Sequence, residues 1–349
     1  MASPIASAGR ADLVVDLHAH FMPPDLPDLA VGTGDPRWPL LRIDSGGTGR
    51  VWRGEELFRV VRRPCWDSAA RIEEMDRLGV DVQVISPIPV GLTYWAPPRP
   101  ALAYARHMND WVATAVADSD GRLRGLGTLP LQDPELAIAE LTRIATDLGL
   151  AGIEMGTVVG DAELDAPELR PIFAAAADLD IPLFIHPMDV GAVPRARSVN
   201  FGFGIGMLAD TALAAAALVF GGVLREFPRL RICLAHGGGA FPWTLPRLVF
   251  GRGLSDDTAA SVWSETTQQL YVDSLVFDPS QIPLLIARFG ADHVAAGSDY
   301  PFLPEGPAPH DVIDEAVALG ILTVDNARAM KGTNALEFLD GPRGEQELR

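Results

Sequence analysis

Leu13-Val14-Val15-Asp16-Leu17-His18-Ala19-His20 carries an apolar, β-branched run straight into two histidines spaced two residues apart. Short runs of this kind recur along the chain. Candidate strands are Leu13–Leu17, Asp81–Ser86, Leu123–Leu129, Gly152–Met155, Pro182–Ile185, Arg231–Ala235, Leu270–Ser274 and His293–Gly297. Helical patterns fall between most of them: Ser68–Leu78, Arg99–Ala117, Pro134–Leu148, Ala166–Leu179, Ala209–Phe227 and Pro279–Phe289. Several open on a proline or an Asp/Ser cap, as helix starts prefer. The strands are apolar almost throughout rather than alternating, which means burial on both faces in a parallel sheet. Eight strands with helices between them is the count of an α/β (β/α)₈ TIM barrel; a doubly wound open sheet is the alternative.

The 349 residues then form one barrel domain over 1–349, a length such folds use as a single unit. Two stretches break the rhythm. A long insertion, 21–64, follows the first strand and is expected over the active site, and Met188–Met207 follows the fifth. Both leave the C-terminal ends of strands, where barrel enzymes build their sites, and loops this long are usually functional. Arg50–Arg62 alternates enough for a small hairpin. The Ser/Ala-rich opening reads as a loose terminus.

Composition excludes several classes. Hydrophobic residues at 48% against 21% charged describe an ordinary globular chain rather than a disordered one. With 46 acidic against 28 basic side chains, the net charge of -18 argues against nucleic acid and against an anionic membrane, both of which demand a basic footprint. Thr211–Leu224, the longest apolar stretch, is too short and too interrupted by glycine to span a bilayer. Two cysteines, Cys65 and Cys233, cannot make a disulfide framework, and no signal peptide is evident, so a cytoplasmic protein is expected.

The His-x-His pair alone also fits two ordinary polar residues at a strand end. In an extended strand, residues i and i+2 share a side, so His18 and His20 can present two imidazoles to one cation, with Asp16 available to orient one of them. His186 closes the fifth candidate strand, His236 the sixth, and Asp299 follows the eighth. These groups fall on one barrel rim if the topology holds, and four of the chain's seven histidines are among them. Imidazole plus carboxylate suits Zn²⁺, with Mn²⁺ or Fe²⁺ as alternatives. A carbamate bridge between two metals needs a lysine on the fourth strand. That strand ends Gly152-Ile-Glu-Met-Gly156, and the only lysine in the chain is Lys331. One divalent ion is therefore expected, held by His18, His20, His186 and Asp299, with Glu154 as a substitute ligand, a helix cap or a supporting group.

Such an ion would lower the pKa of bound water toward ~7. His236, left outside the ligand set, is the candidate acid–base, because an imidazole near pKa ~6.5 suits proton transfer at neutral pH. Gly237, Gly238 and Gly239 allow close backbone approach beside it. A Gly-x-Ser-x-Gly elbow is missing, which removes a serine hydrolase reading of that glycine run. Arg59 and Arg247 are candidate carboxylate forks, although ordinary surface arginines look the same.

With these motifs on view, the chain resembles the aminocarboxymuconate-semialdehyde decarboxylase group of the amidohydrolase superfamily. The likeness rests on Asp16-Leu-His-Ala-His-Phe, Arg71-Ile-Glu-Glu-Met-Asp, Gly79-Val-Asp-Val-Gln-Val, Met108-Asn-Asp, Pro130-Leu-Gln-Asp, His186-Pro, His236-Gly-Gly-Gly, Val272-Asp-Ser and Gly297-Ser-Asp-Tyr-Pro-Phe. The resemblance implies a (β/α)₈ barrel with a divalent metal, usually zinc, on His18, His20, His186 and Asp299, the last also catalytic, and makes His236 the acid–base. It implies that Arg59 binds substrate carboxylate, that Phe302 lines the pocket, and that Arg247 reaches the partner's site in a homodimer. Departures cluster near the substrate: Met188 stands where the group has tryptophan, and Ser198-Val-Asn-Phe-Gly-Phe lacks the tryptophan found there.

The expected activity is non-oxidative, metal-dependent decarboxylation of an unsaturated or aromatic carboxylic acid, such as a 2-amino- or 2-hydroxy-3-carboxymuconate semialdehyde. The alternative is a metal-dependent hydrolase of a lactone, amide or C–C bond, and a third reading is a metal-binding scaffold without turnover.

Overall fold

A computed structural model describes residues 13–188, 195, 198–254, 260–303 and 308–341. The opening stretch and residues 189–194, 196 and 197 of the second long segment lie outside the described residues. Eight strands form one parallel sheet: β1 Val15–Phe21, β2 Val82–Pro87, β3 Leu123–Gly127, β4 Gly152–Gly156, β5 Leu183–His186, β6 Ile232–Leu234, β7 Leu270–Asp273 and β8 Val294–Ala295. Each pairs with the next in chain order. The ring closes where Leu17 N–H donates to Ala296 O (2.8 Å) and His20 N–H to Tyr300 O (2.7 Å). This is the (β/α)₈ barrel, and the open-sheet alternative falls.

Helices cover the sheet because their sequences carry clear stops and starts. Ser68–Leu78 begins after Asp67, whose side chain accepts from Ala70 N, and ends at Gly79 in a left-handed conformation (φ 66°). The barrel interior below the rim is filled by Val15, Leu17, Val84, Phe184, Cys233 and Ala295. A helix that the hydrophobic pattern did not predict, Asn334–Asp340, plugs the bottom with Leu336 and Phe338.

The first strand is longer than its apolar run suggests. It continues to Phe21, so His18 and His20 lie within β1 rather than beyond it. Its register against β2 also slips: Asp16 faces Gln83, but Ala19 faces Ile85, so three steps on β1 match two on β2. An extra residue of this kind re-phases a strand. Val15 and Leu17 therefore point into the barrel core, and the next inward positions fall to His18 and His20.

The insertion builds a three-stranded antiparallel sheet from Pro39–Ile43, Gly49–Arg53 and Glu56–Val61. The expected hairpin is its second half, and one further strand precedes it. The sheet has its own core, in which Trp38, Val51, Val61, Trp66 and Tyr104 pack with Phe302 from the segment after β8. After β5, a continuous helical run covers Val199–Phe220; at 22 residues, it is long and apolar enough by length and composition to cross a membrane. The run extends N-terminal to the apolar stretch Thr211–Leu224 because Gly202, Gly204 and Gly206 are accommodated within the helix, while Gly221 and Gly222 interrupt that stretch as expected. Its second half is a barrel helix, burying Thr211, Ala214, Ala215, Leu218 and Val219.

Candidate active site

The barrel rim brings the distant donors together. One ligand atom each from His18, His20, His186 and Asp299 lies within 4.8 Å of the others, and all four residues are buried. His18 Nε2 is 3.2 Å from His20 Nε2, while Asp299 Oδ1 is 3.0 Å from His20 Nε2 and 3.6 Å from His18 Nε2. Donors about 2.0–2.2 Å from one tetrahedral ion would sit about 3.3–3.6 Å apart, so the spacing fits a single cation. His186 Nε2 has no hydrogen-bond partner among the described residues. A buried ring nitrogen left open is costly unless something accepts its lone pair.

The opposite ring nitrogens set which face carries that lone pair. His18 Nδ1–H donates to Asp273 Oδ2 (2.7 Å) and His186 Nδ1–H to Pro187 O (2.8 Å), which turns both Nε2 atoms inward as acceptors. Burial and the neighbouring imidazoles push His186 well below the ordinary imidazole range, so it stays neutral and able to ligate. Burial opposes ionisation of Asp299, but His20 and His236 hold its carboxyl well below the usual range. Burial likewise opposes a charged His20, yet Glu154 and Asp299 raise it to about 9. A proton is thus bound where the geometry accommodates a metal ion.

Asp16 does not orient a histidine ring. Its carboxylate accepts from His18 N (3.2 Å), Gln83 Nε2 (2.8 Å), Ser298 N (3.1 Å) and Ser298 Oγ (2.5 Å). The register slip separates it from the side shared by His18 and His20, and it ties β1 to the loop that carries Asp299 instead. The orienting carboxylate is Asp273 at the end of β7. It also accepts from His236 N (2.9 Å), Gly237 N (2.8 Å) and Leu275 N (3.0 Å). Sequence reading gave Asp273 no role, although an acid closing an apolar strand on this rim was a usable signal. Arg71 was also unexplained. Fully buried, it donates to His20 O (2.5 Å), Pro64 O (2.9 Å) and Gln83 Oε1 (2.7 Å), joining β1, β2 and the end of the insertion.

A profile of the amidohydrolase family matches residues 15–341. The chain belongs to the amidohydrolase family. It is 37% identical over 331 residues to a 2-amino-3-carboxymuconate-6-semialdehyde decarboxylase of Dictyostelium discoideum, covering 94% of this chain and 91% of the relative. A Caenorhabditis elegans protein of the same name is 30% identical, with 85% and 87% covered. Among solved structures, a 5-carboxyvanillate decarboxylase from Sphingomonas paucimobilis superposes with a TM-score of 0.78 at 25% identity, covering 94% and 99%.

His236 of this amidohydrolase stands beside the donor cluster and outside it. Its Nε2 is 3.8 Å from Asp299 Oδ2, and neither ring nitrogen has a hydrogen-bond partner among the described residues. His236 and Asp299 both hold positive φ, 57° and 55°, a strained backbone that the surrounding contacts must maintain. Gly239 shows why glycine follows: at φ 60°, a Cβ would meet Leu208 O at 2.4 Å.

Two cavities flank this centre and share Phe203 and Met207. The larger, about 130 Å³, is lined by His236, Leu208, Leu275, Val276 and Phe277. The smaller, about 70 Å³, is lined by Arg59, Ile88, His186, Asp299 and Phe302. Arg59 Nη1 donates to Phe302 O (3.2 Å), and its guanidinium lies 5.1 Å from the Phe302 ring. That ring is in turn 5.2 Å from His20. Arg247 lines neither cavity; it is exposed on the helix Phe241–Arg252. Glu154 lies mid-strand in β4 and caps no helix, with Oε2 3.6 Å from His20 Nδ1. Burial raises the Cys65 thiol to about 12 and Cys233 well above the usual thiol range, which makes both poor nucleophiles.

Proposed function

We propose that this chain is a metal-dependent, non-oxidative carboxy-lyase acting on an unsaturated or aromatic carboxylic acid, a carboxylated muconate semialdehyde among them. The observation that carries the reading is an unpartnered histidine, His236, lining one of two cavities beside a four-donor cation cluster, with the Arg59 guanidinium lining the other. The curated decarboxylase relatives named above support it. Bound at His18, His20, His186 and Asp299, a divalent ion, Zn²⁺ first with Mn²⁺ or Fe²⁺ as alternatives, would supply Lewis acidity and an acidified water.

The chain's own groups do the rest. Arg59 holds a carboxylate by a charge-assisted fork against the Phe302 ring. Phe203, Met207, Leu275 and Phe277 keep the conjugated body of the substrate out of water. His236 Nε2 delivers a proton to the carbon that bears the departing carboxylate. The electron pair of the breaking C–C bond then returns to the conjugated system, and CO₂ leaves without an organic electron sink.

Arg247 serves a second copy. Trp243, Arg247 and Phe250 lie at i, i+4 and i+7 on one face of their helix, and Trp243 and Phe250 are 81% and 72% exposed. The helix Val199–Phe220 adds exposed Val199, Phe201 and Ile205. A homodimer would cover these groups and bring Arg247 toward the partner's cavity. The reading includes a cytoplasmic location, consistent with two buried free cysteines.

The deciding assay follows CO₂ release from a panel of carboxylated semialdehydes and hydroxybenzoates, with elemental analysis of the purified protein. Water addition without CO₂ would reject the carboxy-lyase. Mixing inactive Arg247→Ala and His236→Ala proteins tests the dimer: recovered activity supports Arg247 acting across the interface, and none rejects it.

A further inference from the structure

Each of the three ligand histidines has a group behind its outward nitrogen, but the three are not alike. His18 has the Asp273 carboxylate at 2.7 Å and His186 a carbonyl at 2.8 Å. His20 Nδ1 has only longer contacts: Pro87 O at 3.2 Å, Ser86 Oγ at 3.2 Å and Glu154 Oε2 at 3.6 Å. Glu154 is fully buried in β4, and neither of its oxygens has a hydrogen-bond partner among the described residues. A carboxylate in that state is unfavourable unless it faces positive charge. The ion pair it makes is with His20, and beyond His20 Nε2 lies the cation cluster.

We propose that Glu154 is the positioning carboxylate of His20, accepting its Nδ1–H and thereby raising the affinity of the site for a divalent ion. An imidazole that gives its Nε2 lone pair to a cation becomes a stronger Nδ1–H donor. Closing 3.6 Å to hydrogen-bond length needs a shift of about 0.7 Å. Two ligand histidines would then each be backed by a buried acid, Asp273 on β7 and Glu154 on β4. Glu154 lines neither cavity and does not touch substrate. This inference rests on the metal site proposed above, and not on the reaction the site performs.

The test is a titration of the metal-free, full-length protein with Zn²⁺ against a chromophoric chelator, paired with the visible spectrum of the Co²⁺-loaded protein. Glu154→Gln keeps the shape and an amide acceptor but removes the charge. Its Zn²⁺ affinity should fall about tenfold, with a shifted Co²⁺ band, while Glu154→Leu should fall toward about 100-fold. Ser86→Ala should stay within about threefold of the native protein, because the carboxylate and not the hydroxyl sets the ligand's strength. A merely space-filling Glu154 predicts a native Glu154→Gln protein. If Glu154→Gln binds Zn²⁺ within about threefold and keeps the native Co²⁺ spectrum, the proposal is overturned, even where Glu154→Leu fails to fold. If the native protein takes up neither ion, the metal site itself fails and this role fails with it.

Discussion

The donor cluster and the proposed substrate wall of this amidohydrolase are built by different means. His18, His20, His186 and Asp299 are at most 6% exposed; the histidines sit on a hydrogen-bonded ring of strands, and Asp299 follows its last strand with its N–H donating to His18 O. Arg59 is half-buried on a separate three-stranded sheet with its own core, and Arg247 is exposed on an outer helix. A metal tolerates little error in donor position, so its ligands belong on the stiffest part of the fold. Substrate recognition tolerates more, and the role proposed for Arg59 and Arg247 would place it on parts that can diverge without disturbing the barrel. Met188 and residues 198–203, where the sequence resemblance leads one to expect tryptophan, fall on that second side.

This contrast can be broken experimentally. The largest effect is expected on the rim: Asp299→Ala should leave the protein without stoichiometric metal and without turnover, read by elemental analysis and CO₂ release. His236→Ala should lower kcat by about 10²–10⁴-fold with metal content unchanged; a parallel loss of metal would make His236 a ligand. Arg59→Ala removes a charged hydrogen bond of about 1.5–3 kcal/mol, which corresponds to KM rising about 10- to 150-fold with kcat little changed. A fall in kcat alone would move Arg59 out of substrate binding.

A smaller and more graded effect concerns pH. His20 in the metal-free protein is raised from 6.5 to about 9. Its imidazolium therefore stabilises the metal-free fold fully below about 6.5, and that contribution is lost as pH rises through about 9. Metal must displace the proton, so Zn²⁺ affinity should climb by up to about tenfold per pH unit across that window. Chelator competition at several pH values measures it, and a flat profile would mean that His20 carries no proton there.

Much of the site was legible in the chain because strand geometry is local. Histidines and an acid at the ends of apolar runs have one place to go once eight strands close, which is why His18, His20, His186, His236 and Asp299 converge. Asp16 was misread because the period-two rule assumes a regular strand, and one extra residue in β1 reverses it. Asp273 was passed over although it sits on the same rim, because one acid in an apolar run carries no sign of the imidazole 255 residues away that it will meet. The helix Val199–Phe220 begins ahead of the expected Ala209 because tertiary packing overrides the low helix propensity of Gly202, Gly204 and Gly206, and it stops at Gly221 and Gly222, short of the expected Phe227.

By itself, the order of residues determined the alternation of strand and helix, the single-metal donor set, and the exclusion of a lysine bridge, since each depends on residue type and near-neighbour spacing. Only the folded barrel decided that Asp273 backs His18, how the insertion brings Arg59 to Phe302, and that Arg247 stands exposed and lines neither cavity. Those outcomes depend on long-range contacts and on a one-residue change of phase, and neither leaves a periodic trace along the chain.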